Sequence, residues 1–279
     1  MTRYEKEPTF QNNLLIYDGI YYQIGEEHKE FLAEKMMDDD YYILILAAIA
    51  RELHIAGIYR AKVHLAAGLP LTWVGEQKEA FRAYLLQHES VDFTFRGKQF
   101  HVEFAGADIF LQGFAAVAEK LRDFKGVNML ADIGDGTMNI MYINDCRPVE
   151  KKCYTEKYGT NQCILAVRES MLKQLGTVAD DLVVEQMIRH GTADIGERYL
   201  YVIQEAARKY TAEIFRKLRE HEYNPELMRL YVVGGGGCML ENFGQYEKGR
   251  VTVINDICAT AKGYEMLAAR KLRKIGGVS

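Results

Sequence analysis

Two glycine-rich turns, each closing a short apolar run and lying about a hundred residues apart, limit what this chain can fold into. The first is Leu130-Ala131-Asp132-Ile133-Gly134-Asp135-Gly136-Thr137-Met138-Asn139, and the second is Tyr231-Val232-Val233-Gly234-Gly235-Gly236-Gly237-Cys238. An apolar run that stops at glycine reads as a buried strand delivering a loop to a sheet edge, and open α/β sheets bind ligands beyond such strand ends. In the first turn the glycines let successive backbone N–H groups converge, and such a nest takes phosphate oxygens. Asp132, at the strand end, is placed to hold a magnesium ion directly or through water, and Thr137 offers a hydroxyl. The same residues also suit an ordinary Asp-Gly hairpin turn. In the second turn, four glycines allow backbone to approach a flat ligand where a side chain would clash. A helix following Gly237 would turn its positive end toward phosphate. A plain strand-to-helix loop is the other reading.

Other common nucleotide and catalytic signatures fail. No Gly-Lys-Ser/Thr occurs, so there is no P-loop. Gly234 and Gly236 begin a G-x-G, but Met239 stands at the third glycine position of a dinucleotide fingerprint. Asp132 and Asp135 do not make an EF-hand, because Gly134 occupies a ligand position. Neither Gly-x-Ser-x-Gly nor His-Glu-x-x-His is found, and the seven histidines are scattered. The formal net charge is −4 and the sequence pI about 6.0, which is not the basic footprint of a nucleic-acid binder. The most apolar stretch, Tyr41 to Ala50, falls short of the roughly 18–20 residues of a membrane span. The opening MTRYEKEPTFQNN has no apolar core of a signal peptide. Five cysteines without a Cys-x-x-Cys pair read as reduced, mostly buried thiols of a cytoplasmic protein.

Strand-like and helix-like patterns alternate, which predicts an α/β class. Asp18-Gly19 between Leu14–Tyr17 and Tyr21–Ile24 predicts a hairpin, as does Arg96-Gly97-Lys98 between Val91–Phe95 and Gln99–Phe104. Asp38, Asp39 and Asp40 precede a helical run to about His54, where acid complements the helix dipole. Lys62–Ala67, Val127–Ile133, Met138–Ile143 and Leu230–Val233 read as strands, the third followed by a turn at Asn144-Asp145. Gly75–Gln87, Gln112–Phe124, Gln162–Leu175, Glu197–His221 and Ala259–Lys274 read as helices. In Glu197–His221, Leu200, Ile203, Ala207, Tyr210, Ile214 and Leu218 fall on one stripe, with Glu205–Lys209 and Glu213–Lys217 spaced for ion pairs. Four prolines and no linker tract mean that any domain division is made by chain crossings.

The order Asp-Ile-Gly-Asp-Gly-Thr, a hundred residues, then Val-Val-Gly-Gly-Gly-Gly resembles the second phosphate loop and adenosine loop of the actin superfamily. Several segments resemble the ParM/StbA plasmid-segregation proteins in particular. These are Ala66-Ala67-Gly68-Leu69-Pro70-Leu71-Thr72, Phe81-Arg82, Val102 to Phe104 and Phe110-Leu111-Gln112-Gly113-Phe114-Ala115-Ala116. Tyr158-Gly159-Thr160 resembles the turn entering the family's second subdomain, and Asn255-Asp256 with Ala261-Lys262-Gly263-Tyr264 resembles its closing helix. The resemblance implies an actin-like, ribonuclease H-like two-domain ATPase fold. Its domain I would cover 1–130 plus 256–279, and its domain II 131–255. It implies ATP and Mg2+ as cofactors, with Asp132 ordering the metal and its waters. Gly134, Asp135, Gly136 and Thr137 would line the β- and γ-phosphates, and Gly234, Gly235, Gly236 and Gly237 would pack on adenine and ribose. Gln112 would orient the attacking water, since an amide is no strong base.

The implied function is a cytoplasmic, nucleotide-dependent filament that moves plasmid DNA. Its partners would be further copies of itself and an adaptor bound to centromere DNA, without direct contact to nucleic acid or membrane. The family's opening Asp-x-Gly loop with a downstream lysine has no counterpart near Met1. On this reading the first domain lacks its N-terminal strand and exposes a sheet edge. Two alternatives remain in view: a non-catalytic actin-like assembly module, and another actin-superfamily phosphotransferase.

Overall fold

The computed structural model describes residues 1–9, 12–25 and 39–275. Packing divides the chain into two units, Met1–Ala67 with Trp73–Ile109, and Gly68–Thr72 with Phe110–Ser279. Residues 110–130 and the last helix pack with the second unit.

The first unit is built on a six-stranded sheet of order β1-β3-β2-β5-β6-β4. Its strands are β1 (Thr2–Tyr4), β2 (Leu14–Tyr17), β3 (Ile20–Gln23), β4 (Arg60–Leu69), β5 (Ser90–Phe95) and β6 (Lys98–Leu111). The helices are α1 (Asp39–Ile55) and α2 (Leu71–Leu85). Both predicted hairpins form, and each turns on two residues with positive φ: Asp18 at 50° with Gly19 at 72°, and Arg96 at 49° with Gly97 at 72°. Two such residues match the twist of the flanking strands. Leu15, Leu46, Phe81, Leu85 and Phe100 are fully buried at its core. Asp38 lies outside the described residues. Strand β4 runs beside β6, and no strand lies beyond it among the described residues.

The second unit has a five-stranded sheet of order β11-β10-β7-β8-β9. These strands are β7 (Val127–Ile133), β8 (Met138–Asn144), β9 (Arg147–Glu156), β10 (Arg229–Val233) and β11 (Val251–Val253). Strands β7, β10 and β11 run parallel, while β8 and β9 fold back antiparallel. Both faces are covered, which is why β7 and β10 read as unbroken apolar runs. Met129, Ala131 and Ile133 face a core formed with α3 (Thr160–Leu175), α4 (Asp181–His190), α5 (Glu197–Glu220) and α6 (Gly237–Phe243). Leu130, Met141, Ile143, Tyr231 and Val233 face a smaller core closed by Val117 and Phe124. The last helix is α7 (Ala259–Ile275).

Several elements differ from expectation. Residues 112–124 form two 3-10 turns, Phe114–Val117 and Leu121–Asp123, instead of one helix. Gly113, at φ 73°, takes the chain out of helical geometry. The turn expected at Asn144-Asp145 lies one residue on, at Asp145 and Cys146, whose φ values are 45° and 64°, and it leads into β9, a strand that the apolar pattern does not mark. On α5 the expected stripe is buried apart from half-buried Leu200, but Glu205 pairs with Arg208 and Glu213 with Arg216, at i,i+3. Only Cys163 is buried, while Cys146 and Cys258 are exposed, and all five thiols are free. Burial pushes Cys163 up to about 12 and Cys153 up to about 11, so neither is a thiolate nucleophile at neutral pH.

Helix α7 docks on the first 3-10 turn through Gly263, where a Cβ would lie 2.0 Å from the carbonyl oxygen of Ala115. That oxygen is backbone and has no rotamer in which to retreat. Gly263→Ala is therefore expected to destabilise the second unit by about 1–3 kcal/mol. Urea unfolding followed by circular dichroism would read the loss; an unchanged midpoint would mean that the helix docks differently.

Candidate functional site

Strands β7 and β10 are parallel neighbours in the register Asn128 beside Arg229 through Asp132 beside Val233. They end together, so both glycine turns leave the sheet on one rim. The turns touch: the Gly236 N–H donates to the Ile133 carbonyl at 2.9 Å. Gly234 has φ +86°, and a Cβ there would sit 2.5 Å from the Ile133 oxygen and 2.8 Å from Asp132 Oδ1. At Gly236 a Cβ would lie 2.2 Å from Ile133 Cγ2, and at Gly237 2.8 Å from Val253 Cγ1. Gly235 alone among the four faces open space. Three of these glycines are thus required by close packing between protein segments.

Asp132 is 6 % exposed and shares a sheet face with Leu130. Its carboxylate sits between two glycines, since a Cβ at Gly113 would lie 3.0 Å from Oδ2 and one at Gly234 2.8 Å from Oδ1. Gln112 precedes Gly113 and is fixed by its backbone, with its N–H donating to Leu69 O at 2.9 Å and its carbonyl accepting from Phe114 N at 2.8 Å. Gln112, Asp132, Asn139 and Thr155 line a cavity of about 10 Å3, roughly the space of a single water. Thr155 Oγ1 donates to Asn139 Oδ1 at 2.8 Å across one side of it. Among the described residues, no three His, Cys, Asp or Glu side chains group to hold a metal ion. A divalent ion here would therefore draw on Asp132 together with oxygens brought by a ligand and by water, the mode that suits Mg2+.

The first turn is braced by the start of α3. Gly134 N donates to Thr137 O at 2.9 Å and closes the turn. The N–H groups of Thr160 and Asn161 donate to the carbonyls of Gly134 and Asp135 at 3.1 and 2.9 Å. Thr160 Oγ1 donates to Asp135 Oδ1 at 3.1 Å. Helix α3 thus spends its first amides on the turn. Gly159 makes the approach possible, because a Cβ there would lie 1.9 Å from the Asp135 oxygen. Tyr210, on α5, donates its hydroxyl to the Gly159 carbonyl at 2.8 Å, and burial raises its pKa well above the ordinary tyrosine value. Asp132, Gln112, Gly134 to Thr137 and Gly234 to Gly237 all lie in the second unit. Sequence reasoning missed the supporting roles of Gly113, Gly159 and Tyr210. The first two carry a signal only in retrospect, as lone glycines beside polar residues, and Tyr210 had been assigned to the core stripe.

Two family models match the chain. Residues 5–114 match the model described as actin like proteins N terminal domain, and residues 130–243 match that described as archaeal actin homologue MreB-like, C-terminal. No curated protein matches. Among solved structures, the archaeal actin homolog Ta0583 in complex with ADP aligns over 92% of this chain and 89% of its own, at 19% identity and TM-score 0.71. Bacillus thuringiensis ParM with AMPPNP aligns over 93% and 85%, at 15% identity and TM-score 0.67. The Alp12 filament structure aligns over 96% and 88%, at 18% identity and TM-score 0.63. Identities this low establish a shared fold, the two-domain actin-like fold.

The Tyr210 bond gives this site a testable support. Tyr210→Phe keeps the ring but leaves the buried Gly159 carbonyl without its donor, a loss of about 1–3 kcal/mol. The expected result is a lowered unfolding midpoint. A midpoint equal to that of the unaltered chain would show that water or another donor serves Gly159.

Proposed function

We propose that the chain, whose residues 5–114 and 130–243 match models of actin-like proteins, works as a nucleotide-dependent, filament-forming ATPase of the ParM/StbA type. The observation that carries the reading is the junction of the two glycine turns, Gly236 N to Ile133 O, with the Asp132 carboxylate between Gly113 and Gly234. A buried acid at a strand end, with two backbone-rich turns on the same rim, suits a magnesium nucleotide. The ADP and AMPPNP complexes of the neighbouring proteins and the filament of Alp12 support the same reading.

In this proposal Gly134, Asp135, Gly136 and Thr137 hold the β- and γ-phosphates, while Gly234 to Gly237 lie along adenine and ribose. Gly235, open to space, is the glycine of the four whose missing side chain leaves room for a ligand. Magnesium, when bound, neutralises charge on the phosphates, and Asp132 orders it and its waters. Gln112 orients a water by hydrogen bonding and takes no proton. The small cavity beside Gln112 and Asp132 has the room for that water. ATP binding favours assembly and hydrolysis loosens it. With a net charge of −4, the chain reaches plasmid DNA in the cytoplasm through an adaptor protein instead of touching DNA or membrane itself.

Two measurements test the roles. In calorimetric titration with AMPPNP, the unaltered chain should bind at least about tenfold more tightly with magnesium than with a chelator, and Asp132→Asn should lose that difference. An Asp132→Asn protein whose magnesium dependence is intact would remove Asp132 from the metal site. Gln112→Ala should keep nucleotide affinity while phosphate release falls by about a hundredfold. Unchanged release would show that Gln112 does not position the water.

A further inference from the structure

The cavity beside Gln112 and Asp132 owes its walls to the register of the second sheet. Val233, Asp132, Asn139 and Thr155 stand directly opposite one another across β10, β7, β8 and β9. Directly paired residues send their side chains to the same face of a sheet, about 5 Å apart. Asp132, Asn139 and Thr155 therefore form a polar row at the rim. The next row on that face is apolar, with Leu130 opposite Met141 and Met141 opposite Cys153. Both rows line the cavity, together with Gln112. Burial pushes the Cys153 thiol up to about 11, and it donates to the Val149 carbonyl at 3.4 Å. Tyr154, next to Thr155 in the strand, is turned to the opposite face, where its ring stacks on His221 at 4.1 Å between centroids. The polar side chains left to meet a water in the cavity are thus Gln112, Asp132, Asn139 and Thr155.

We infer that Thr155 is a positioning residue for the water of this cavity, acting through Asn139. This rests on the ATPase reading above and adds to it a residue on the edge strand β9. The Thr155 hydroxyl donates to Asn139 Oδ1 at 2.8 Å. A side-chain amide carries its oxygen and its nitrogen on opposite sides of one carbon. The row sets Thr155 on one side of Asn139 and Asp132 on the other. With Oδ1 committed to Thr155, the Nδ2 hydrogens are turned toward Asp132 and the cavity. Reversed, Asn139 would add its oxygen to those of Gln112 and Asp132 and set three acceptors against the two hydrogens of one water. In the observed orientation a water gives its hydrogens to Gln112 and Asp132 and accepts one from Asn139. One lone pair is left for the phosphorus, which is the alignment that phosphoryl transfer to water requires. Thr155 itself is exposed, so its hydroxyl is not spent on building the core.

The test compares the full chain with two variants. Thr155→Val keeps the branched shape that suits a strand and removes the hydroxyl, while Thr155→Ser keeps the hydroxyl. Unfolding midpoints check that both fold. In steady-state phosphate release, Thr155→Val should lower kcat about fivefold, the effect of one neutral hydrogen bond, with KM for ATP unchanged. Thr155→Ser should recover most of that rate. A second readout needs no nucleotide. In proton–nitrogen correlation spectra of the free chain, the Asn139 side-chain amide pair, identified by its absence from Asn139→Ala, should shift in Thr155→Val and stay in place in Thr155→Ser. An unmoved amide pair or an unchanged kcat in Thr155→Val would overturn the inference, as would a Thr155→Ser protein as slow as Thr155→Val. The ATPase reading fails separately. If the unaltered chain releases no phosphate while the amide pair shifts as expected, the hold on Asn139 stands and the ATPase falls. If release is normal and the pair does not move, the ATPase stands and Thr155 has no part in it.

Discussion

The parallel pairing of β7 with β10, Asn128 to Asp132 against Arg229 to Val233, is the constraint on which the second unit depends. Parallel neighbours cannot be joined by a tight turn. Everything between Ile133 and Arg229, two strands and three helices, is the connection that lets them meet. The register also decides which way Asp132 points. Its neighbours at 131 and 133 face the helical core, so a slip of one residue would turn the carboxylate into that apolar layer. The observed register instead sets it toward Gln112 and Gly113. Beyond the last pair, Asp132 beside Val233, the Gly236 to Ile133 bond ties the two turns to each other.

Glycine in a folded chain costs conformational entropy, and here the cost is offset by contacts that no other residue permits. Gly113, Gly159, Gly234 and Gly236 each have protein atoms closer than 3 Å to where a Cβ would stand. They let four segments converge on one acid and one turn. Rigid neighbours keep that convergence in place. Tyr210 ties α5 to Gly159, Thr160 ties α3 to Asp135, and the 110–118 segment is tied to α7 through Gly263. A site made this way is held by backbone contact more than by side-chain ion pairs.

Much of this was legible in the sequence, for identifiable reasons. The strands β7, β8 and β10, the helices α3, α5 and α7, and two hairpins announce themselves through strong periodicity or through an Asp-Gly or Arg-Gly turn. Strand β9 did not, since Arg147, Glu150, Lys151 and Lys152 break its apolar pattern, although the turn before it was marked one residue early at Asn144-Asp145. The segment 112–124 has helical apolar spacing, but Gly113 and the packing of α7 on Ala115 override it. Residues 110–130 hold their place by tertiary contact with α7 and with Tyr231 and not by local pattern. At the site, residue types and strand ends could be read. The glycines that press on Asp132 and Asp135 could not, since their need arises only when distant segments meet.

Helix α3 ties the first glycine turn to the core of the second unit. Its first amides are held by the carbonyls of Gly134 and Asp135, so the turn and the helix start move together. Its outer stripe carries Leu165 and Leu172, and through Arg168 it holds the start of α4 with Leu182. A helix of 16 residues with a buried stripe of Cys163, Ile164, Val167 and Met171 is a stiff body. Its buried stripe leaves no slack along the helix, so the turn is held at a fixed place against the core of the second unit. The place of the Gly134 to Thr137 turn is therefore set by the packing of a whole helix and not by the turn's own residues.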